Sequence, residues 1–528
     1  MITLPSPLSN FLDWLLALAP ILVVLVLMLR FRWGGAQAGA VGWLVALLAA
    51  VLRFGAGWQV LAYAQLKGLL LTFFVLYIIW TALLFYRVNA EAGALSAIGA
   101  GLPRLTPDRG LQALLLAWIF GAFLQGVSGF GVPVAIVAPL LVGLGFPPVA
   151  AVVITSVGHS WAVTFGSLGS SFYALIGATG RSGEELAPWC ALMLGLACLG
   201  CGAGALWAAG GGRTLRSNLA PLLVIGLVMA GVQFLVVTNG MWSIGALAGG
   251  LAGLAAGVAW ARLGRGSAVC ADRAGTGSVD RSEGMPLGWA LFPYALLVAL
   301  VLTARLIPPV RDFLGQVVIQ VEFPELTTAQ GWTTPAGTGR AINLFGHAGA
   351  LLAYAAIITY ALFHRQGRYP AGTARRIART VAQKATSSSL GIAAMVGMAL
   401  TMEHAGMTHL LAQTVARVAG PLFPLVSPFI GVLGAFMTGS NTNSNVVFGR
   451  LQQQVAALVG VSPLVVLGAQ TAGGALGSMF APSKIIVGCS TVGLGGREGP
   501  VLRATIRYSL TIVAGLALAT IVATYCLP

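Results

Sequence analysis

Apolar runs of about 20 residues, long enough to cross the hydrocarbon core of a bilayer as helices, recur along the chain. They fall at roughly 11–30, 36–53, 66–86, 188–209, 217–237, 241–261, 288–307, 344–363, 386–404 and 505–526. The stretch Ser217–Ala261 contains no Asp, Glu, Lys or Arg, and its Thr238-Asn239-Gly240 turn splits it into two helices. Two further apolar regions resist a simple helix reading. Leu111–Gly180 is free of charge but interrupted at Gly126–Pro133. Val418–Gly496 carries only Arg450 and Lys484 and is interrupted at Gly439–Asn445 and again near Ala481-Pro482-Ser483.

These two regions read as repeats of each other. Gly121, Ala122, Phe123 and Gly126 match Gly434, Ala435, Phe436 and Gly439 at an offset of 313. After a two-residue slip, Gly145, Pro148, Gly158 and Phe165 match Gly460, Pro463, Gly473 and Phe480 at 315. The chain then divides into scaffold helices (1–110), repeat 1 with a re-entrant hairpin (111–180), connecting helices and loops (181–417), repeat 2 with a re-entrant hairpin (418–496) and a C-terminal helix (497–528).

Composition narrows the class. Of 528 residues, 58% are hydrophobic and 8% charged, and the mean hydropathy is +0.90. Too little polar side chain is present to coat a water-soluble globule, and six scattered cysteines do not make a disulfide scaffold. Cys198 and Cys201 form a C-x-x-C inside an apolar run, where they read as small packing residues. The run Trp14–Leu29, followed by Arg30 and Arg32, reads as a stop-transfer pattern rather than a cleaved signal.

The net charge of +16 does not point to nucleic acid, because the basic residues fall in short connections between apolar runs. Arg30 and Arg32; Arg87, Arg104 and Arg109; Arg213 and Arg216; Arg262, Arg265, Arg273 and Arg281; and the cluster Arg365–Lys384 all share one side. That side is expected to be cytoplasmic, with the N-terminus outside. Glu184 and Glu185 and the long 308–342 loop face the other way. The first repeat then starts inside and the second outside, an inverted repeat of the kind many secondary transporters use.

Non-helical backbone at membrane depth survives only inside protein or beside a water-filled cavity. A helix broken there offers free N–H groups and a positive dipole end to an anion. Ser440, Asn441, Thr442, Asn443, Ser444 and Asn445 add hydroxyl and amide groups, read as a site or as an extramembrane turn. At the first break Gly126, Gly129 and Gly131 allow close backbone approach and Ser128 supplies a hydroxyl; helix packing alone also explains the glycines. His159, Glu403, His404, Arg450 and Lys484 are the ionisable groups at depth. His159 is a proton or substrate group, or a satisfied packing residue. Glu403 and His404 are a proton-coupling pair or an interfacial one, and Arg450 and Lys484 neutralise an anion or snorkel. No metal-ligand spacing or nucleophile elbow is present.

The segments 121–136, 158–166 and 438–445, with Thr471–Gly477 and Ala481-Pro482-Ser483, resemble the lactate permease family. The resemblance extends over nearly the whole chain. It implies an all-α polytopic membrane protein of about 12 transmembrane helices plus re-entrant hairpins, an inverted-repeat secondary transporter and not an enzyme. It further implies L-lactate, D-lactate and glycolate as substrates, carried across the cytoplasmic membrane by proton symport. By the same resemblance the hairpin tips, Ser128–Gly131 and Ser440–Asn445, hold the substrate. Gln125 and Asn441 stand where the family often carries Glu and Asp, which removes two carboxylates as proton carriers. The substrate-binding candidates are thus Gln125, Ser128, Gly129, Gly131, Ser440–Asn445, Arg450 and Lys484, with Phe130 or Phe448 as apolar wall. His159, Glu403 and His404 are the proton-coupling candidates.

The expected partners are a small-molecule anion, the lipid bilayer and a second copy of the chain in a homodimer, with no nucleic acid. No cofactor is expected; the coupling ion is H⁺, with Na⁺ coupling to another carboxylate as the alternative. An intramembrane enzyme and a passive channel are the more distant rivals.

Overall fold

The computed structural model describes residues 7–31, 33–129, 131–263, 285–495 and 497–526; Arg32, Phe130, Arg265, Cys270, Arg273, Arg281 and Gly496 lie outside the described residues. The chain is all-α and polytopic. Fourteen helical segments among the described residues are long and apolar enough to cross a membrane. In chain order the helices are α1 (Pro7–Leu29), α2 (Gly35–Leu52), α3 (Trp58–Glu91), α4 (Ala94–Gly101), α5 (Arg109–Ala113), α6 (Gly121–Val127), α7 (Val132–Gly143), α8 (Pro148–Gly158), α9 (Ser170–Thr179), α10 (Gly183–Ser217), α11 (Leu219–Thr238) and α12 (Gly245–Leu263). After the undescribed stretch come α13 (Leu287–Leu306), α14 (Pro308–Leu314), α15 (Ala348–Arg365), α16 (Thr373–His404), α17 (Met407–Ala419), α18 (Phe423–Thr438), α19 (Asn441–Val459), α20 (Pro463–Gly477), α21 (Pro482–Thr491) and α22 (Glu498–Tyr525).

The chain between α14 and α15 is a nested antiparallel ribbon. Its strand pairs are Val318–Ile319 with Ile342–Asn343, Glu322–Phe323 with Gly337–Thr338, and Leu326–Thr327 with Thr333–Thr334. This ribbon marks one end of the molecule. There the Ala329 N–H donates to the Gly55 carbonyl at 2.8 Å and the Trp332 indole donates to the Glu403 carbonyl at 3.2 Å. Arg305 lies 3.6 Å from Glu184 at the same end. The opposite end is tied by Tyr369, which donates to the Val88 carbonyl at 2.9 Å, and by Arg376 with Glu91 at 3.0 Å.

Two segments share one order of elements: a helical hairpin, a broken helix, then a long helix. In the first, α5 and α6 are joined by a buried π-helical stretch, Leu114–Phe120, and form one arm of a hairpin whose second arm is α7. The broken helix is α8 and α9, separated at His159–Gly169, and α10 follows. In the second, α18 and α19 make the hairpin, α20 and α21 the broken helix, and α22 the long helix. Gly145 (φ +83°) and Gly460 (φ +78°) close the two hairpins in the left-handed region, and Pro148 and Pro463 each open the helix that follows.

The two hairpins open toward opposite ends. Arg109, at the base of the first, lies over the Phe146 ring at 5.4 Å, and neighbouring Gly110 packs on Asn218, away from the ribbon. The base of the second is tied by Tyr525, which donates to the Pro421 carbonyl at 2.7 Å. That contact is at the ribbon end, because α22 runs antiparallel to α10: Ile512 meets Gly200 and Tyr508 meets Gly204.

Small residues let these helices approach to backbone contact. A Cβ at Gly473 would sit 2.0 Å from the Pro428 carbonyl oxygen, and one at Gly431 2.1 Å from that of Gln470, so α18 and α20 touch along their length. Gly126 and Gly250 do the same for α6 and α12, where Gly126 meets the Leu247 backbone. Cys198 and Cys201 are buried free thiols in α10, and the Trp118 indole donates to the Cys198 carbonyl at 3.0 Å.

Candidate functional site

The interruption expected over Gly439–Asn445 is only two residues long. Gly439 turns the chain at φ +69°, and Ser440 caps α19 by accepting from the Asn443 N–H at 3.4 Å. Asn441–Asn445 form the first turns of that helix. Ser at an N-cap satisfies a free N–H and lets the helix begin at once, so the polar run is a helix face rather than an unwound loop. Asn441, Thr442, Ser444 and Asn445 are all buried.

These side chains find their partners on the two broken helices. The Asn441 amide donates to the Thr164 hydroxyl at 3.1 Å and to the Thr471 carbonyl at 3.2 Å. Thr164 sits in the first helix break and its hydroxyl donates to the same Thr471 carbonyl at 3.2 Å. The Asn445 amide donates to the Thr471 hydroxyl at 2.9 Å and to the Ser171 carbonyl at 2.9 Å, while Ser171 and Thr442 share a hydroxyl bond at 3.0 Å. Ser444 donates to the Gly431 carbonyl at 2.9 Å and accepts from the Gln470 amide at 3.0 Å; Gln470 is bonded in turn to Gln452. One polar network thus joins hairpin 2 to both broken helices. The carbonyl oxygens of Asn441 and Asn443 are buried without a partner. Phe448 lines a narrow crevice beside this tip together with Thr438, Asn443 and Ser444, closed on the far side by Met395 and Met398 of α16.

The first tip reaches the same centre. Gly129 (φ +60°) packs so closely on Ser167 of the first break that a Cβ would fall 1.9 Å from its hydroxyl. Gly131 (φ +80°) faces Val487 of α21, and Gly439 of the other tip faces Ser483, so the start of α21 touches both tips. Lys484 is in that first turn. It is 8% exposed, its ammonium donates to the Ser478 hydroxyl at 2.9 Å, and no carboxylate pairs with it among the described residues. Gln125 is buried with its carbonyl oxygen unpartnered, and the Ser128 hydroxyl is spent on the Leu124 carbonyl at 2.9 Å.

His159 ends α8 at the first break, fully buried. Its Nδ1 lies 2.6 Å from the Thr155 carbonyl, so Nδ1 carries the proton and Nε2 is a buried acceptor with no partner. Beside it the Ser156 hydroxyl is likewise unpartnered.

Arg450, Glu403 and His404 stand apart from the tips. Arg450 is nine residues along α19 from Asn441, about 13 Å by helix rise. It pairs with Glu403 at 3.0 Å and donates to Gln453 at 2.9 Å and to the Thr179 carbonyl at 3.3 Å. The His404 Nδ1 is 2.9 Å from the Leu400 carbonyl, which leaves Nε2 to accept from the Lys67 ammonium at 3.1 Å. The result is a four-group cluster under the ribbon, three charges and a neutral imidazole, bridging α3, α16 and α19. Lys67 was not among the expected residues, nor were Thr471, Ser171 and Gln470. A single lysine in the apolar run 66–86 and hydroxyls or amides in uncharged stretches are the signals that mark them.

The chain matches the family profile described as L-lactate permease over residues 13–527. It is similar to the L-lactate permease of Bacillus subtilis (strain 168), with 29% identity over 536 residues, 94% of this chain and 93% of that one. It is also similar to the glycolate permease GlcA of Escherichia coli (strain K12), with 27% identity over 562 residues and 97% and 95% of the two chains. Among solved structures, the YdaH transporter of Alcanivorax borkumensis aligns over 85% of each chain at 16% identity and a TM-score of 0.45.

Proposed function

The chain belongs to the L-lactate permease family, and on that premise we propose that it carries small 2-hydroxy monocarboxylates, L-lactate, D-lactate and glycolate, across the cytoplasmic membrane by proton symport. The observation that carries this reading is the meeting of both hairpin tips and both helix breaks around one polar network beside an unneutralised lysine. A buried ammonium without a carboxylate is costly at membrane depth. A monoanionic substrate supplies the missing charge. Its carboxylate sits at Lys484 and the free N–H groups that open α19 and α21, and its 2-hydroxyl donates to the unpartnered oxygen of Asn441 or Gln125. Phe448 supplies the apolar wall for a methyl group.

The two hairpin-and-broken-helix segments are, on this reading, an inverted repeat, and they move together against α1–α3 and α16 in alternating access. His159 is the proton acceptor nearest the tips by its place at the first break, with Nε2 free; Glu403 and His404 act at the ribbon end. That end is outside, together with the N-terminus, because Arg30, Arg87, Arg109, Arg213, Arg216, Arg262 and the Arg365–Arg379 cluster gather at the other. Counterflow tests the substrate assignment. Labelled L-lactate is expected to enter proteoliposomes loaded with unlabelled L-lactate, to be competed by glycolate but not by a dicarboxylate, and to be lost in Lys484→Gln; exchange unaffected by that variant contradicts it.

A second reading, Na⁺ coupling, is favoured by one observation. The unpartnered carbonyl oxygens of Gln125, Asn441 and Asn443 are hard ligands of the kind a cation takes.

A further inference from the structure

A second group of polar side chains, buried or half-buried, lies away from the tips, where the ribbon meets α3 and α9, and none of the residues above accounts for it. The Arg340 guanidinium stands 4.3 Å over the Phe74 ring. It makes no ion pair and no hydrogen bond among the described residues, and its Nε is sealed from solvent without an acceptor. His347, 6% exposed, lies flat against Tyr77 at 5.0 Å and edge-on to Phe74 at 4.6 Å. Its Nδ1 accepts from the Gly349 N–H at 3.2 Å, which places the proton on Nε2, and that N–H also has no partner. Tyr173 of α9 closes the group, 5.6 Å from Phe74, 6.4 Å from His347 and 5.9 Å from Trp242.

Two buried N–H donors without acceptors, one of them on a half-buried cation that has no counter-charge, form a binding site rather than a packing solution. We propose that Arg340 and His347, walled by Phe74, Tyr77, Tyr173 and Trp242, form a second site for a small monocarboxylate, at the ribbon end and separate from the hairpin tips. The guanidinium fork matches the two oxygens of a carboxylate. Because Nδ1 accepts from the Gly349 N–H, the His347 ring is neutral and contributes a donor, not a second charge. One unbalanced cation favours a monoanion over a phosphate or a dicarboxylate. The site joins the centre through α9: two residues before Tyr173, Ser171 contacts Thr442 and Asn445 of the second tip. The ribbon-end site captures the anion before it moves to the tips.

The inference rests on the reading that the substrate is a small carboxylate, and the test separates the two. Binding of labelled L-lactate and labelled acetate to the purified full chain is measured for wild type, Arg340→Gln, Lys484→Gln and the double variant. Two bound anions per chain are expected in wild type, one in each single variant and none in the double. In right-side-out vesicles Arg340→Gln is expected to raise the KM for uptake about tenfold with little change in maximal rate, and Arg340→Lys to recover part of it. Unchanged stoichiometry and KM in Arg340→Gln overturn the second site while leaving the transport reading intact. Acetate binding that depends on Arg340, in a protein that neither binds nor exchanges L-lactate, upholds the site and overturns the substrate.

Discussion

Thr471 is the residue on which the central network turns. Its hydroxyl accepts from Asn445, its carbonyl accepts from both Asn441 and Thr164, and it is fully buried on α20. Interhelical side-chain hydrogen bonds in membrane proteins contribute only about 0.6 kcal/mol each on average, so such a network is a weak reason for stability. On the proposed reading its value lies in holding amide and hydroxyl groups at fixed positions around a polar guest. Thr471→Val keeps the shape and removes the hydroxyl. We expect it to shift the thermal unfolding of purified protein by a few degrees at most, by the size of about one such bond. Lactate exchange should fall about tenfold or more. Equal exchange in the variant and the wild type would place the substrate elsewhere.

At this scale the sequence was partly readable. The six-residue run Ser440–Asn445 announces itself because nothing but polar contact explains it in an apolar stretch. Its partners do not, since Thr164, Ser171 and Thr471 become neighbours of that run only when α9, α19 and α20 are packed together. Gln125 and Asn441 are informative in another way. Each leaves a buried carbonyl oxygen free, which no reading of the chain by position could reveal.

Among the elements, the second hairpin and α16 bear on each other through Glu403 and Arg450. The crevice beside the tip is closed by the same helix, through Met395 and Met398. If the hairpin must leave α16 for the substrate to pass, fixing the two together stops transport. A bismaleimide bridging Cys residues in a Met395→Cys, Val447→Cys variant, two positions that line that crevice from α16 and α19, is expected to abolish lactate exchange, whereas either single variant treated alike retains it. Undiminished exchange through fully cross-linked protein excludes motion at this contact.

The elements were legible to different degrees. Long apolar spans such as α11 and α13 are nearly where the hydropathy places them, because lipid demands uninterrupted apolar helix. The first hairpin is marked by its glycines and Pro133, and the second break by Pro482. The break at His159–Gly169 leaves no mark in the sequence. Nothing in Ser160–Gly166 forbids helix; the unwinding is visible in the left-handed Ser167 and Leu168 and comes with the tight seat of Gly129 on Ser167. Tertiary contact, not local preference, opens the chain there.

For the molecule as a whole, the arrangement of two hairpins entering from opposite ends fixes which loops share a side. The ribbon, the connection of α2 with α3 and the end of α22 belong together; the Arg365–Arg379 cluster lies across from them. An orientation with the basic end inside is the one the positive-inside rule predicts. With a membrane-impermeant maleimide applied to intact cells, a Cys at Glu325 is expected to react and one at Arg368 to react only after the cells are opened. The reverse pattern inverts the topology. The general architecture was readable because the distribution of charge and apolar length is a whole-chain property. The ribbon was not, since its three two-residue strand pairs leave no periodic signature in the 308–342 loop.

On the proposed reading, both hairpins hold a small hydroxy acid whose movement is tied to protons. That coupling is tested most directly by labelled L-lactate uptake into proteoliposomes in Na⁺-free buffer under an inward proton gradient. Accumulation above equilibrium that collapses when the gradient is dissipated, and that is lost in His159→Ala, is the predicted result. Uptake that ignores the proton gradient and appears only when Na⁺ is supplied contradicts it, and transfers the free oxygens of Gln125 and Asn441 from the substrate to a cation.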